Sequence, residues 1–393
     1  MKIPKILQEI SDKLNTLNAK AIIIGGSVRD HFLQKSIKDY DIEVYGLSTI
    51  DALESLLKAY GKVKLVGKSF GVLKFVYKGK EYDFAFPRRE TKSGVGHKGF
   101  DIVSDGFMSY EEAAKRRDFT INAMGYDIEK QEFLDPFDGM SDMKKKVLRH
   151  IDDKTFVEDP LRVYRGIQFC ARLEYKMAEK TKKLCIAMVE QGVLEELPKE
   201  RVFEEIKKLL LKAKKPSIGF DLLKELNVLR YFPELSMNWA KLDKMQSPKN
   251  IKLMLAILTL HLEQERVEHF ILRLSDEINL VKSVKALVKA YQKVSQTKLL
   301  DDIEIRRLST KVSIEELSMI CENELLLVNA KRLGVDKHPL KELLQGRDLI
   351  ALGHKPSEKF SKILSLVYEL QIRGEIVNKE DALNRVKEKS LWQ

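Results

Sequence analysis

The chain has 393 residues, 44% hydrophobic and 33% charged, with a net charge of +11, which is enough apolar material for two or three domains with buried cores. No apolar stretch reaches the length of a bilayer-spanning helix. The three scattered cysteines, Cys170, Cys185 and Cys321, exclude a disulfide framework or a cysteine-based metal site and read as reduced, buried thiols.

The basic excess points to a polyanionic partner, because lysine and arginine release counterions from phosphates on binding. A surface charged for solubility fits the same number, and it fits the run Lys207, Lys208, Lys212, Lys214 and Lys215.

At the N-terminus Ile6, Leu7, Ile10, Leu14 and Leu17 recur at helical spacing among charged residues. This predicts an amphipathic helix rather than a secretory signal, hence a cytoplasmic protein. Residues 21–24 are apolar and β-branched, as in a buried strand, and Gly25-Gly26-Ser27-Val28-Arg29-Asp30 ends it. Glycines there let backbone N–H groups approach a phosphate. Asp39-Tyr40-Asp41-Ile42-Glu43 follows, and in an extended strand Asp39, Asp41 and Glu43 share one face while Tyr40, Ile42 and Val44 turn to the core. Neighbouring carboxylates repel unless a cation lies between them, and magnesium takes carboxylates together with substrate phosphates. Two such ions would activate a 3′-hydroxyl and stabilise departing pyrophosphate. An isolated D-x-D is more often a solvated strand face; the glycine turn just upstream makes this pair read as a nucleotide-polymerising site.

Further strands are predicted over 41–45, 71–78 and 81–86, with Lys78-Gly79-Lys80 as a hairpin turn. Strand pairing would bring Asp83 near the metals as a further candidate acid. Residues 61–69 mimic a P-loop, but five residues separate Gly61 from Gly67 and no glycine-rich turn into a helix follows, so Lys68 reads as surface. Residues 88–99 read as a mobile loop whose Arg88, Arg89, Lys92 and Lys98 suit either phosphate or solvent.

Arg116-Arg117-Asp118 precedes Phe119-Thr120-Ile121-Asn122. Guanidinium groups meet phosphate oxygens while a carboxylate accepts from a ribose hydroxyl, although such a tripeptide alone is commonly a surface ion pair. In Glu158-Asp159-Pro160-Leu161-Arg162-Val163-Tyr164-Arg165, helical spacing aligns Asp159, Arg162 and Arg165. Asp159 before Pro160 is equally a helix N-cap, and both roles are compatible. From about residue 140 the periodicity is helical to the end. His97, His150 and the other histidines lack ligand spacing, and no His-Asp dipeptide occurs, which argues against a metal-dependent phosphohydrolase module.

Taken in order, these motifs resemble the class II tRNA nucleotidyltransferases, the family of CCA-adding enzymes and bacterial poly(A) polymerases, nearly continuously over residues 21–175. Gly25, Gly26 and Arg29 match the family's triphosphate turn, Asp39 and Asp41 its metal-binding acids, and Arg117 and Asp118 its ribose-reading segment, with Ser27 and Asn122 as further nucleotide-binding candidates. Asp83 sits where members vary. Residues 134–149, with Asp135-Pro136, Gly139 and Asp142, resemble its hinge between head and neck. Asp159 and Arg162, with Arg165, match the pair that selects the base without a template. A carboxylate accepts from the exocyclic amine of cytosine or adenine and an arginine donates to the ring nitrogen, whereas uracil and guanine offer a carbonyl oxygen there. Gly346-Arg347-Asp348-Leu349-Ile350-Ala351-Leu352-Gly353 with Pro356, Gln371, Gly374 and Ala382 resembles the tRNA-contacting end of bacterial members.

The resemblance implies an α+β fold: a polymerase-β-like nucleotidyltransferase head at 1–135, then an all-α neck at 136–205, body at 206–300 and tail at 301–393. It implies Mg²⁺-dependent addition of CCA to tRNA 3′ ends from CTP and ATP, with the acceptor and TΨC side of tRNA gripped by shape and backbone. The loop at residues 92–100 is more like that of CCA-adding members than of poly(A) polymerases. Addition of only CC or only A, poly(A) synthesis, and a catalytically silent RNA-binding protein on the same fold are the alternatives.

Overall fold

Ile22 and Ile23 are fully buried at the centre of a mixed sheet, and the β-branched run around them sets the layout of the N-terminal part of the chain. The computed structural model describes all residues except 38, 67–70, 93–99, 236–238, 246–248, 298–299 and 388–393. Two units result, Met1–Tyr231 and Phe232–Gln393.

In the first unit α1 (Lys5–Asn15) buries Ile6, Leu7, Ile10 and Leu14, while Leu17 lies past its end and is exposed. The sheet holds β1 (Lys20–Ile24), β2 (Tyr40–Tyr45), β3 (Lys62–Val66), β4 (Val72–Tyr77), β5 (Lys80–Ala85), β8 (Gly125–Asp127) and β9 (Glu132–Leu134), in the order β3-β4-β5-β2-β1-β8-β9. β6 (Arg88–Lys92) and β7 (Phe100–Ser104) form a separate antiparallel ribbon. All neighbours in the large sheet are antiparallel except β2 and β5, whose parallel register sets Asp41 opposite Asp83. The β4–β5 turn has Lys78 and Gly79 both at positive φ, 48° and 75°, the geometry that matches strand twist in a two-residue hairpin.

The helices of this unit are α2 (Gly26–Phe32), α3 (Ile50–Lys58), α4 (Tyr110–Ala114), α5 (Gly139–Lys145), α6 (Asp153–Glu158), α7 (Leu161–Leu173), α8 (Glu179–Glu190), α9 (Lys199–Lys212) and α10 (Pro216–Glu225). α7 packs on α9 and α10. Among the described residues the second unit is helical, with Ile278–Gln296 packed on Ile251–Thr259 and Gln264–Leu274. Near its end Asp348 closes a capping box with Gln345 and takes Lys379, over a core of Leu349, Ile363, Val367, Ala382 and Val386. No helix among the described residues is long and apolar enough to cross a membrane.

Several expectations change. Part of the expected mobile loop is a strand: Arg88–Lys92 is held by backbone pairing with Phe100–Ser104. Lys98, His97 and most of the loop at 92–100 lie outside the described residues, as does Lys68. The P-loop mimic supplies β3, and the helical half contains a two-strand parallel pair, Val147–Leu148 with Lys176–Met177. Ile42 and Val44 are buried as read, but Tyr40 is only half-buried and lies against Tyr82. Cys170 and Cys185 are buried, Cys321 half-buried, and all are free.

Candidate active site

Gly25 ends β1 at φ +66°, where a side chain would strain the backbone, and its N–H donates to the Met124 carbonyl over 3.2 Å. The turn delivers Arg29, on α2, to a cavity of about 640 Å³. Arg29 is buried and clamped: Nε and Nη2 donate to Asp30 Oδ1 at 3.0 and 2.8 Å, and Nη1 to Asn122 Oδ1 at 2.7 Å. Three of its five N–H donors are thus used, leaving two for an anion. Gly25, Gly26 and Arg29 line the cavity; the Ser27 side chain is buried and donates to the Ile24 carbonyl over 3.1 Å, a local cap.

Asp41, Glu43 and Asp83 line the same cavity from β2 and β5. Asp41 is exposed as a residue, yet partial desolvation of its carboxyl in the cavity, then the like charge of Asp83, pushes it above its usual range, with Asp39 and Glu43 adding to the effect against Arg117. Asp83 Oδ1 is buried and accepts no hydrogen bond, with the Lys74 ammonium 4.0 Å away. Paired carboxylates with unused oxygen lone pairs on a polar cavity are the donor set that a hard divalent cation takes, so these residues fit magnesium. Asp39 precedes β2, is exposed, and is not among the described residues lining the cavity. Glu43 has another role: it pairs with Arg117 Nη2 at 3.0 Å and accepts from the Tyr45 hydroxyl at 2.7 Å.

Asp118, 7% exposed, is the hub of the opposite wall. Its Oδ1 accepts from the Phe119 N–H (2.8 Å) and Asn122 Nδ2 (2.9 Å), and its Oδ2 from Arg165 Nε (2.8 Å) and Nη2 (2.5 Å). Burial alone would raise its affinity for a proton, but the Arg165 charge and these hydrogen bonds outweigh it and hold the carboxyl below the usual range. Asn122, expected to touch nucleotide, lines the cavity while its amide bridges Arg29 to Asp118.

Asp159, Arg162 and Arg165 line the cavity from the start of α7. Asp159 Oδ1 accepts from the Leu161 N–H (3.2 Å) and its carbonyl from the Arg162 N–H (3.0 Å), but the N-cap of α7 is Pro160, not Asp159 as read, because Asp159 closes the end of α6; its Oδ2 lies 3.7 Å from Arg201. Arg162 is oriented by two carbonyls, Thr155 and Arg116, each 2.7 Å away. One feature escaped sequence reasoning: the guanidinium groups of Arg29, Arg165 and Arg172 lie 5.3, 5.7 and 5.6 Å from the Phe169 ring centre. The i, i+4, i+7 spacing of Arg165, Phe169 and Arg172 on α7 is the signal that carried it.

Residues 21–149 match the Poly A polymerase head domain, and residues 174–238 match the probable RNA and SrmB-binding site of polymerase A. The chain thus carries a Poly A polymerase head domain followed by a segment like the RNA-binding site of polymerase A. Among curated members, it is 35% identical over 264 residues to the multifunctional CCA protein of Haemophilus ducreyi, covering 66% of this chain and 58% of that one. The chain spans about half the length of the curated relatives it matches, 49–58% for those most similar. The fold of a CCA-adding enzyme in apo form II superposes with a TM-score of 0.74 at 24% identity, covering 98% of this chain and 96% of that one. A tRNA nucleotidyltransferase complexed with a primer tRNA and an incoming ATP analogue gives 0.66 at 26% identity, covering 83% and 98%. The architecture is α+β with a polymerase-β-like head, as the sequence implied.

Proposed function

We propose that this protein is a tRNA 3′-terminal nucleotidyltransferase that adds C, C and A from CTP and ATP without a nucleic-acid template, releasing pyrophosphate. The observation that carries the reading is the convergence on one cavity of the Gly25–Gly26 turn with Arg29, the Asp41 and Asp83 carboxylates, Asp118, and the Asp159–Arg162 pair. In this reading Arg29 meets the triphosphate with its two unused donors. Asp159 and Arg162, oriented by α7 and by two carbonyls, present an acceptor beside a donor to the base edge of C or A. Rigidity matters here, because a fixed pair can serve as the template.

Asp41, with Asp39 and Asp83, would hold magnesium, which supplies Lewis-acid activation of the primer 3′-hydroxyl and neutralises charge on the leaving pyrophosphate. Asp118 reads the ribose. The division into head (1–135), neck (136–205), body (206–300) and tail (301–393), with the helical portions gripping the acceptor and TΨC side of tRNA, belongs to the same proposal. The two family domains in sequence, a nucleotidyltransferase head and an RNA-binding segment, support it.

The test uses tRNA transcripts lacking CCA, and others ending in CC, with labelled CTP and ATP offered separately. The first is expected to be extended with CTP and the second with ATP. Extension of the second alone would overturn complete CCA addition in favour of an A-adding enzyme.

A further inference from the structure

An ionised carboxylate offers about four lone-pair sites. Asp118 uses all four: two for Phe119 and Asn122, two for the fork of Arg165. A ribose hydroxyl therefore finds no acceptor on Asp118 until one donor leaves. The Phe119 N–H belongs to the backbone, and Asn122 is locked by Arg29 as well as by Asp118. Arg165 is the donor able to move, since its side chain keeps 33% of its surface exposed to the cavity.

A destination exists. Glu205, on α9 facing α7, is 3% exposed; Lys208 donates to its Oε1 over 2.7 Å, while its Oε2 is buried and has no hydrogen-bond partner. A buried carboxylate oxygen left unmatched is costly and calls for a donor. Arg165 lies within electrostatic reach of both Asp118 and Glu205. Arg172 feels Glu205 too, but it donates to Gln168 Oε1 over 3.0 Å and has no link to Asp118.

We propose that Arg165 is a mobile occupant of Asp118 that passes to Glu205 when a ribonucleotide enters, making Glu205 a positioning residue that never touches the nucleotide. This rests on the reading of Asp118 as the ribose acceptor. The handover links ribose binding to α9: the sugar gains a carboxylate, and the displaced guanidinium satisfies an oxygen that otherwise stays bare. A sugar without the hydroxyl that Asp118 accepts leaves Arg165 where it is.

The experiment compares KM and kcat for CTP, 2′-deoxyCTP and 3′-deoxyCTP in the wild type, E205Q and D118N, with melting temperatures as folding controls. In E205Q the KM for CTP is expected to rise about tenfold or more, the order of one hydrogen bond to a charged group, at little-changed kcat. For whichever deoxynucleotide lacks the hydroxyl that is read, KM stays put, so the preference for ribose shrinks by the same factor. Equal changes for all three nucleotides, or none, overturn the handover. If D118N leaves the preference for ribose intact, the ribose reading itself fails; if D118N removes it and E205Q does not, only the handover fails. Should E205Q not fold, the wild type decides through the Nε–H signal of Arg165 in arginine-labelled protein. That signal must shift with CTP and remain unshifted with the unread deoxynucleotide, and a signal that responds equally to both rejects the idea.

Discussion

Asp41 is a solvent-exposed residue, but partial loss of water around its carboxyl and the like charge of Asp83 directly across the strand pair raise its proton affinity, and this has a consequence for stability. Its folded-state proton affinity lies above that of the unfolded chain, so between the two the folded protein binds more protons. Stability from this group is then present at acidic pH and is lost as pH rises through the raised value. At pH 7 in chelator, Asp41→Asn is expected to melt at a higher temperature than wild type, and the gap should close below about pH 4, where the acid is protonated in both states. Magnesium should raise the melting temperature of the wild type and not of the variant, by mass action on the folded state. Incorporation should fall by about 10²–10⁴-fold, the worth of several kcal/mol of charge stabilisation. A variant that melts lower than wild type at pH 7 would show that the carboxylates do not oppose each other. The alternation of Asp41 and Glu43 was legible because a strand has period two, whereas Asp39 falls before β2 and does not line the cavity with them. The partner of Glu43, Arg117, lies 74 residues further on, and no local pattern encodes that pairing. Asn122 was read as a nucleotide contact and lines the cavity, but its bridging role depends on Arg29 and Asp118 arriving from different elements.

At the scale of elements, strands with alternating apolar residues were readable, and strands whose partners alone define them were not. β3 reads Lys-Val-Lys-Leu-Val at the sheet edge, where lysines facing solvent guard the exposed edge and mimic a polar loop. β6 reads Arg-Arg-Glu-Thr-Lys and has no apolar period at all; its pairing with β7 is what defines it. The parallel register of β2 and β5, which brings Asp83 to Asp41, joins strands that are not consecutive in the chain. Residues 134–149 are read as a hinge only through the resemblance; in the structure this stretch is closely braced at its start. Asp135 accepts from the N–H groups of Gly139 and Met140 at 2.7 and 2.8 Å, and a Cβ on Gly139 would stand 2.4 Å from the Thr120 carbonyl oxygen. Thr120 opens the short turn that ends in Asn122, so α5 is pressed directly against the backbone of a turn whose Asn122 lines the cavity. Gly139→Ala is expected to cost about 1–3 kcal/mol in chemical denaturation, as overpacking does, and to raise the KM for CTP by displacing Asn122 from Arg29 and Asp118. Loss of stability at unchanged KM would mean that the turn absorbs the added methyl without disturbing the relay.

For the whole molecule the net charge of +11 was visible at once, but a total does not say which charges are free to meet phosphate. The lysine run around the end of α9 divides in two. Lys207 and Lys208 pair with Glu204 and Glu205 one turn upstream, while Lys212, Lys214 and Lys215 stand exposed beyond them. All five fall within the segment matching the RNA-binding domain, which favours a phosphate contact over a merely solvated face for the exposed three. Each phosphate neutralised contributes roughly −0.7 to −0.9 to the slope of log affinity against log salt, so replacing Lys212, Lys214 and Lys215 by Gln should flatten that slope by about two. Filter binding of tRNA between about 50 and 200 mM salt measures it. Because these side chains do not line the cavity that holds Arg29, Asp41 and Asp118, the KM for CTP at saturating tRNA should stay at the wild-type value. Lys207→Gln, in contrast, removes a charge already matched by Glu204 and should change the slope little. A triple variant with the wild-type slope would return the cluster to the solubility role that composition alone allows, and the excess positive charge would then have to act elsewhere on the chain.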